Sequence, residues 1–151
     1  MNGGDNRPEV RQIGPAETIG LRLEVLRPGK PAETAHFAGD NDPATRHLGL
    51  FREGELVGIA SLFAVDAPGM PGIRAFQLRG MAIGPAYQRT GLGALLVARC
   101  IDHARSEGAK VIWCNARTSA AGFYRKHGFE IGSEEFEIPD VGPHFRMLLG
   151  L

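Results

Sequence analysis

The chain has 151 residues, of which 43% are apolar and 23% charged, the proportions of a folded globular protein and not of a disordered or low-complexity segment. A chain of this length can build one core that buries roughly 68–70% of the surface exposed when unfolded, so a single domain spanning residues 1–151 is expected. Seventeen Lys and Arg balance seventeen Asp and Glu, which argues against the broad basic surface of a nucleic-acid-binding protein.

Met1 to Val10 is polar and carries no apolar core of signal-peptide length, which points to the cytoplasm. The nearest apolar run, Leu92 to Ala98, falls far short of the ~18–20 residues that cross a bilayer, so no membrane partner is expected. Glu9 to Ile13 alternates polar and apolar residues as a strand does, and Pro15 then suits the first turn of a helix from about Ala16 to Leu26. Two prolines and a glycine in Arg27-Pro28-Gly29-Lys30-Pro31 break that helix. The stretch up to Pro43 is irregular, and Asp40-Asn41-Asp42 lacks the glycine and distal glutamate of a calcium loop and reads as a turn. His47–Phe51 and Leu56–Val65 form a hairpin through Arg52-Glu53-Gly54-Glu55, and after the loop Asp66–Gly72 a long strand runs from Ile73 to Ile83.

Beyond it the period changes. Leu92, Leu95, Leu96, Val97, Cys100, Ile101 and Ala104 recur at helical spacing up to Gly108. Lys110–Cys114 reads as a short apolar strand, Thr118 or Ser119 as the cap of a second helix, and Gly128 with Phe129 as its end. Strands around Glu130–Ile138 and His144–Leu149 complete the order β-α-β-β-β-α-β-α-β-β, an α/β (α+β) arrangement around a mixed, mostly antiparallel central sheet flanked by helices. Cys100 and Cys114 have no Cys or His neighbour at metal-ligand spacing; both are expected to be reduced and buried, and no metal site is expected.

The chemistry concentrates in Met81-Ala82-Ile83-Gly84-Pro85-Ala86-Tyr87-Gln88-Arg89-Thr90-Gly91-Leu92-Gly93-Ala94. A strand runs into a glycine-bearing loop and a helix starts at once, which leaves unpaired N–H groups and the positive end of the helix dipole facing the loop. Such a junction suits a pyrophosphate, with Arg89 as an added charged donor. No Gly-Lys-Ser or Gly-Lys-Thr follows, as a phosphate-transfer loop would need. A dinucleotide site fits weakly, since Leu96 stands where a third glycine belongs and Cys114-Asn115 where an acid should end the next strand.

Tyr87-Gln88-Arg89-Thr90-Gly91-Leu92-Gly93 after Leu78-Arg79-Gly80-Met81-Ala82-Ile83, then Asn115-Ala116-Arg117 and Phe123-Tyr124-Arg125-Lys126-His127-Gly128-Phe129, resembles the GNAT superfamily of acyl-CoA-dependent N-acetyltransferases. The resemblance covers residues 44 to 149, and the closing segment from Ile138 to Met147 resembles a small bacterial subgroup of it. It implies main-chain contacts from Met81, Ala82 and Ile83 to the pantetheine arm of acetyl-CoA, and a pyrophosphate held by Gln88, Arg89, Thr90, Gly91, Leu92, Gly93 and Ala94. Asn115 matches a residue that bonds pantetheine, and Tyr124 a tyrosine whose hydroxyl faces the CoA sulfur.

On that pattern a neutral amine attacks the thioester and a phenol of pKa near ~10 protonates the departing thiolate. Many members carry a carboxylate on the strand before the loop to take the amine's proton; here Arg79 and Gly80 stand there. Arg79 could bind a substrate carboxylate, and His144 is a candidate base. The implied reaction is acetyl transfer from acetyl-CoA to a primary amine of a small molecule or peptide. An acyl-CoA-binding module without catalysis is the alternative, and a homodimer is left open.

Overall fold

The computed structural model describes residues 7–151, and the expectation for the amino terminus falls partly outside them. The chain divides into two compact units, one formed by the described residues up to Phe63 with Gly80–Cys100, the other by Ala64–Arg79 with Ile101–Leu151.

In the first unit β1 (Glu9–Ile13) and β2 (Arg46–Arg52) pair antiparallel, and β2 pairs antiparallel with β3 (Glu55–Phe63). The last residues of β4 (Ala75–Ile83) also belong here, β4 following β3 in the sheet order. Leu50, Ile59 and Leu62 are fully buried, each worth about 1.5–3 kcal/mol of transfer from water. Ile13, Ile59 and Ala82 form a cluster over which Leu21, Val25 and Leu26 pack. Those last three come from the expected helix Ala16–Leu26, which is a composite: a 3-10 turn Pro15–Thr18, a single α turn α1 (Ile19–Leu21), then a π turn Arg22–Leu26 closed by Arg27 N–H on the Arg22 carbonyl at 2.9 Å. A widened turn re-aims side chains within a helix, a common device at functional positions. A further 3-10 turn, Ala32–Ala35, lies in the stretch read as irregular.

In the second unit β4 pairs in parallel with β5 (Val111–Arg117) over Ala75–Gln77, and β5 pairs antiparallel along its whole length with β8 (Gly142–Gly150). The expected strand Glu130–Ile138 is divided into β6 (Glu130–Ile131) and β7 (Phe136–Ile138), both antiparallel to β8. Between them Gly132 N–H reaches the Arg146 carbonyl and Ser133 Oγ accepts the Arg146 N–H, both at 2.8 Å, so a side-chain hydroxyl takes the place of one ladder acceptor there. Ala67, Ala75, Val111 and Trp113 make this unit's apolar cluster, and the indole N–H donates to the Val65 carbonyl at 2.9 Å.

The long helix α2 (Leu92–Ser106) buries Leu92, Leu96, Val97, Cys100, Ile101 and Ala104, the stripe its spacing predicted, although Leu95 is only half-buried. The last helix corrects the sequence reading. A 3-10 turn Thr118–Ala120 leads into α3 (Ala121–Lys126), and neither Thr118 nor Ser119 caps it, because Ala120 occupies the cap position. Its end is as expected: Gly128 N–H bonds the Arg125 carbonyl, Phe129 N–H bonds the Tyr124 carbonyl, and Phe129 is buried over the turn. The fold is thus mixed α/β with a mostly antiparallel sheet.

Candidate active site

The junction from β4 to α2 lies wholly in the first unit. Ala82 is buried in the apolar cluster while Met81 and Ile83 are half-buried, so the middle residue anchors the strand. Gly84 N–H bonds the Val57 carbonyl at 2.8 Å as β4 ends, and a 3-10 turn Pro85–Tyr87 follows. Gln88 folds back to donate its side-chain amide to the Ile83 carbonyl at 2.9 Å, and Thr90 Oγ1 donates to the Tyr87 carbonyl. The Tyr87 hydroxyl donates to Glu55 Oε2 at 3.2 Å. The Glu55 charge and that hydrogen bond raise the phenol's pKa above its usual 10.0.

Two left-handed residues then turn the chain into the helix: Arg89 at φ 62° and Gly91 at φ 83°. Glycine adopts this conformation without strain, whereas Arg89 pays of order 1 kcal/mol, a kind of strain that gathers at ligand clamps. The first main-chain bond of α2 is Leu95 N–H to the Gly91 carbonyl at 3.3 Å, so the N–H groups of Leu92, Gly93 and Ala94 have no acceptor within the helix. Gln88, Arg89, Thr90 and Gly91 are exposed, while the Leu92 side chain is buried and fixes the helix start. A Cβ placed on Gly91 would meet no atom within 4 Å, so the space beside it is open.

Behind the strand lies a buried polar network that sequence reasoning missed. Arg22 is fully buried and donates from Nη1 to Asp40 Oδ2 at 2.7 Å and to the Ala35 carbonyl at 2.9 Å, and from Nη2 to Asp40 Oδ1 and Ser61 Oγ, both at 3.0 Å. Ser61 Oγ lies 2.7 Å from His47 Nδ1, and His47 Nε2 lies 2.9 Å from the Asp40 carbonyl. A carbonyl only accepts, so Nε2 holds the proton and the Ser61 hydroxyl donates to Nδ1. Burial alone would raise the Asp40 pKa, but the hydrogen bonds from Arg22 and Phe37 N–H and the charge of Arg22 outweigh it and hold the carboxyl below 3.8. The Phe37 ring stacks on the guanidinium, 3.8 Å from centroid to Cζ.

This plate explains why a glycine stands at position 80 on the strand before the loop. Gly80 has φ 62° inside β4, and a Cβ there would come within 3.0 Å of Phe37 Cε2 and 3.3 Å of Arg22 Nε. Asp40-Asn41-Asp42 is a turn as expected, with Asp42 Oδ1 accepting from Ala44 N–H at 2.8 Å, yet Asp40 also does the buried work of neutralising Arg22. The available signal was Arg22 itself, spaced on one helix face with Thr18, Val25 and Leu26: an arginine on an apolar stripe demands a buried acceptor.

In the second unit Asn115 is exposed and lies within β5, which continues to Arg117 instead of stopping at Cys114. Its cross-strand partner is Arg146, and the partner of Arg117 is His144, so the structure brings Asn115 and His144 to one face of the ladder. His144 is 4% exposed and stacks on Phe136 with centroids 6.0 Å apart. Its Nδ1 lies 2.7 Å from the Gly142 carbonyl and therefore carries the proton, leaving the Nε2 lone pair available as a base. Tyr124 is 9% exposed on α3, its ring edge-on to Phe123 at 5.2 Å and Phe129 at 5.4 Å.

Residues 18–129 match the model of the acetyltransferase (GNAT) family. The chain is 33% identical to an uncharacterized N-acetyltransferase, YitI, of Bacillus subtilis (strain 168), over 92% of this chain and 93% of that one. Among solved structures it superposes on a putative N-acetyltransferase from Lactobacillus plantarum with a TM-score of 0.79 at 18% identity, covering 97% and 99% of the two chains. A GNAT family acetyltransferase from Elizabethkingia anophelis with acetyl-CoA bound gives a TM-score of 0.69 at 15% identity, over 98% and 100%. With the family model spanning residues 18–129 and a 33% identical relative matched over nearly the full length of both chains, this protein belongs to the GNAT acetyltransferase family.

Proposed function

We propose that the chain is a single cytoplasmic acetyltransferase domain that moves an acetyl group from acetyl-CoA to a primary amine of a small molecule or peptide. The observation that carries this reading is the exposed turn Gln88–Gly91, which delivers three N–H groups without helical acceptors at the start of α2. Those groups and Arg89 suit the two phosphates of CoA, and the open space at Gly91 admits a phosphate oxygen. The acetyl-CoA held by the Elizabethkingia neighbour supports the choice of ligand. The main chain of Met81, Ala82 and Ile83 pairs with pantetheine, a role supported by the left-handed Gly80 that interrupts β4 just before them. Asn115 bonds the same arm.

The chemistry is direct attack. The amine nitrogen bonds to the thioester carbon and gives up a proton, the C–S bond breaks with its electron pair passing to sulfur, and the thiolate takes a proton. His144 Nε2 receives the first proton, because Nδ1 is already committed to the Gly142 carbonyl. The Tyr124 hydroxyl supplies the second from a ring fixed by Phe123 and Phe129. Thermal unfolding with and without acetyl-CoA tests the assignment: at ~100 times its dissociation constant the ligand stabilises the native state by about 2.7 kcal/mol. NAD at the same concentration should give no shift, and an equal shift from NAD would refute the reading.

A further inference from the structure

The β5–β8 register continues past Trp113 and Leu148 with two polar rungs, Asn115 opposite Arg146 and Arg117 opposite His144. Cross-strand partners share a face, as do residues two apart, so these four side chains stand as a two-by-two block. Each can donate a hydrogen bond to a ligand, or accept its proton, and none is acidic. Among the described residues no carboxylate lies within ion-pair distance of Arg117 or Arg146. Glu130, on β6 opposite Leu148, is exposed and reaches neither. The Arg146 Nε–H is buried and has no acceptor, although buried guanidinium groups are normally paired. Arg117 and Asn115 are exposed, so the block opens to ligand from the β5 side.

Two guanidinium groups on adjacent rungs repel each other unless an anion sits between them. A planar carboxylate matches them, because Nε–H and one Nη–H of a single arginine present two parallel donors at carboxylate spacing. We infer that Arg117 and Arg146 bind the carboxylate of the acceptor, so that the amine substrate is one that also bears a carboxyl group. The inference rests on the proposed function for the word acceptor, and the rung that holds Arg117 also holds His144, whose free Nε2 is the proposed base for the amine. Anchoring the carboxylate one rung from the base would bring the amino group of an amino acid within reach of it.

The test observes the arginine Nε–H resonances of the 15N-labelled full chain during titration with N-acetylglycine, a carboxylate that mimics a product, then with N-acetylglycinamide and with inorganic phosphate. The Arg146 Nε–H signal should move saturably with N-acetylglycine and stay in place with the neutral amide. Arg117→Gln should weaken that saturation roughly tenfold or more, and Arg146→Lys, which keeps the charge and loses the fork, should weaken the saturation of the Arg117 Nε–H signal by a similar factor. No movement with N-acetylglycine, equal movement with the amide, or tighter saturation by phosphate would each overturn the inference, whatever the variants do. Melting of the same sample with acetyl-CoA separates the two proposals. An acetyl-CoA shift without carboxylate binding removes the inference alone, and carboxylate binding without an acetyl-CoA shift removes the proposed function and with it the acceptor's identity.

Discussion

Asp40→Ala is the perturbation whose cost the structure lets one work out most fully. The wild-type carboxylate accepts from both Nη atoms of Arg22 at 2.7 and 3.0 Å and from Phe37 N–H at 2.9 Å. Arg22 is fully buried and Asp40 is 8% exposed, so truncation leaves a guanidinium out of water with only Ala35 and Ser61 as partners. Removing one member of a buried pair costs about 3–5 kcal/mol. For a chain of this size each kcal/mol lowers Tm by about 2–4 °C, so circular dichroism at pH 7 should show a loss of about 6–20 °C. Arg22→Met with Asp40→Leu, which removes both charges, should recover most of it. A loss of under about 2 °C for Asp40→Ala, or a double variant melting below it, would refute the reasoning. The pH dependence has a fixed sign. The folded Asp40 pKa lies below 3.8, so its contribution is complete above that value and disappears as pH falls through the lower folded one. The Tm gap between the parent and Asp40→Asn should therefore be constant near neutrality and close in acid.

Gly91→Val should abolish the acetyl-CoA melting shift while costing the free protein only about 1–2 kcal/mol from the left-handed φ of 83°, since a Cβ there meets no neighbour; a retained shift would remove the pyrophosphate assignment. Tyr124→Phe keeps the ring contacts at 5.2 and 5.4 Å and should leave acetyl-CoA affinity intact while lowering kcat toward the low end of ~10²- to 10⁴-fold, less at higher pH; an unchanged kcat at pH 7 and saturating amine would return Tyr124 to packing alone. Burial pushes the Cys100 and Cys114 thiols up to about 12, so a thiol-titrating disulfide reagent at pH 8 should modify neither in the native protein and both in urea. Rapid native labelling would contradict their burial.

Local punctuation made the centre of this molecule legible. Gly91 at the head of a three- and four-residue apolar repeat marks a loop entering a helix, and both the left-handed turn and the buried stripe from Leu92 to Ala104 are there. What escaped depends on partners far along the chain. Asn115 and Arg117 look like a loop in isolation, yet β8 supplies their ladder partners Arg146 and His144 from about thirty residues away. The break at Gly132-Ser133 requires Ser133 Oγ to take the Arg146 N–H, which no local pattern encodes. Arg22 could be seen as misplaced on an apolar face, but its acid sits 18 residues on, inside a turn that reads as surface. Gly80 looked like a lost base until Phe37 and Arg22 were found filling the space its side chain would need.

Amine-dependent release of CoA thiol from acetyl-CoA tests the central claim most directly, followed with a thiol indicator added after quenching, across amines presented with and without a carboxyl group. The account predicts steady release that requires both the amine and the Tyr124 hydroxyl, saturates in acetyl-CoA, and disappears in Gly91→Val. Release at an equal rate without any amine, or none with any member of the panel from a protein whose melting point acetyl-CoA raises, would contradict it.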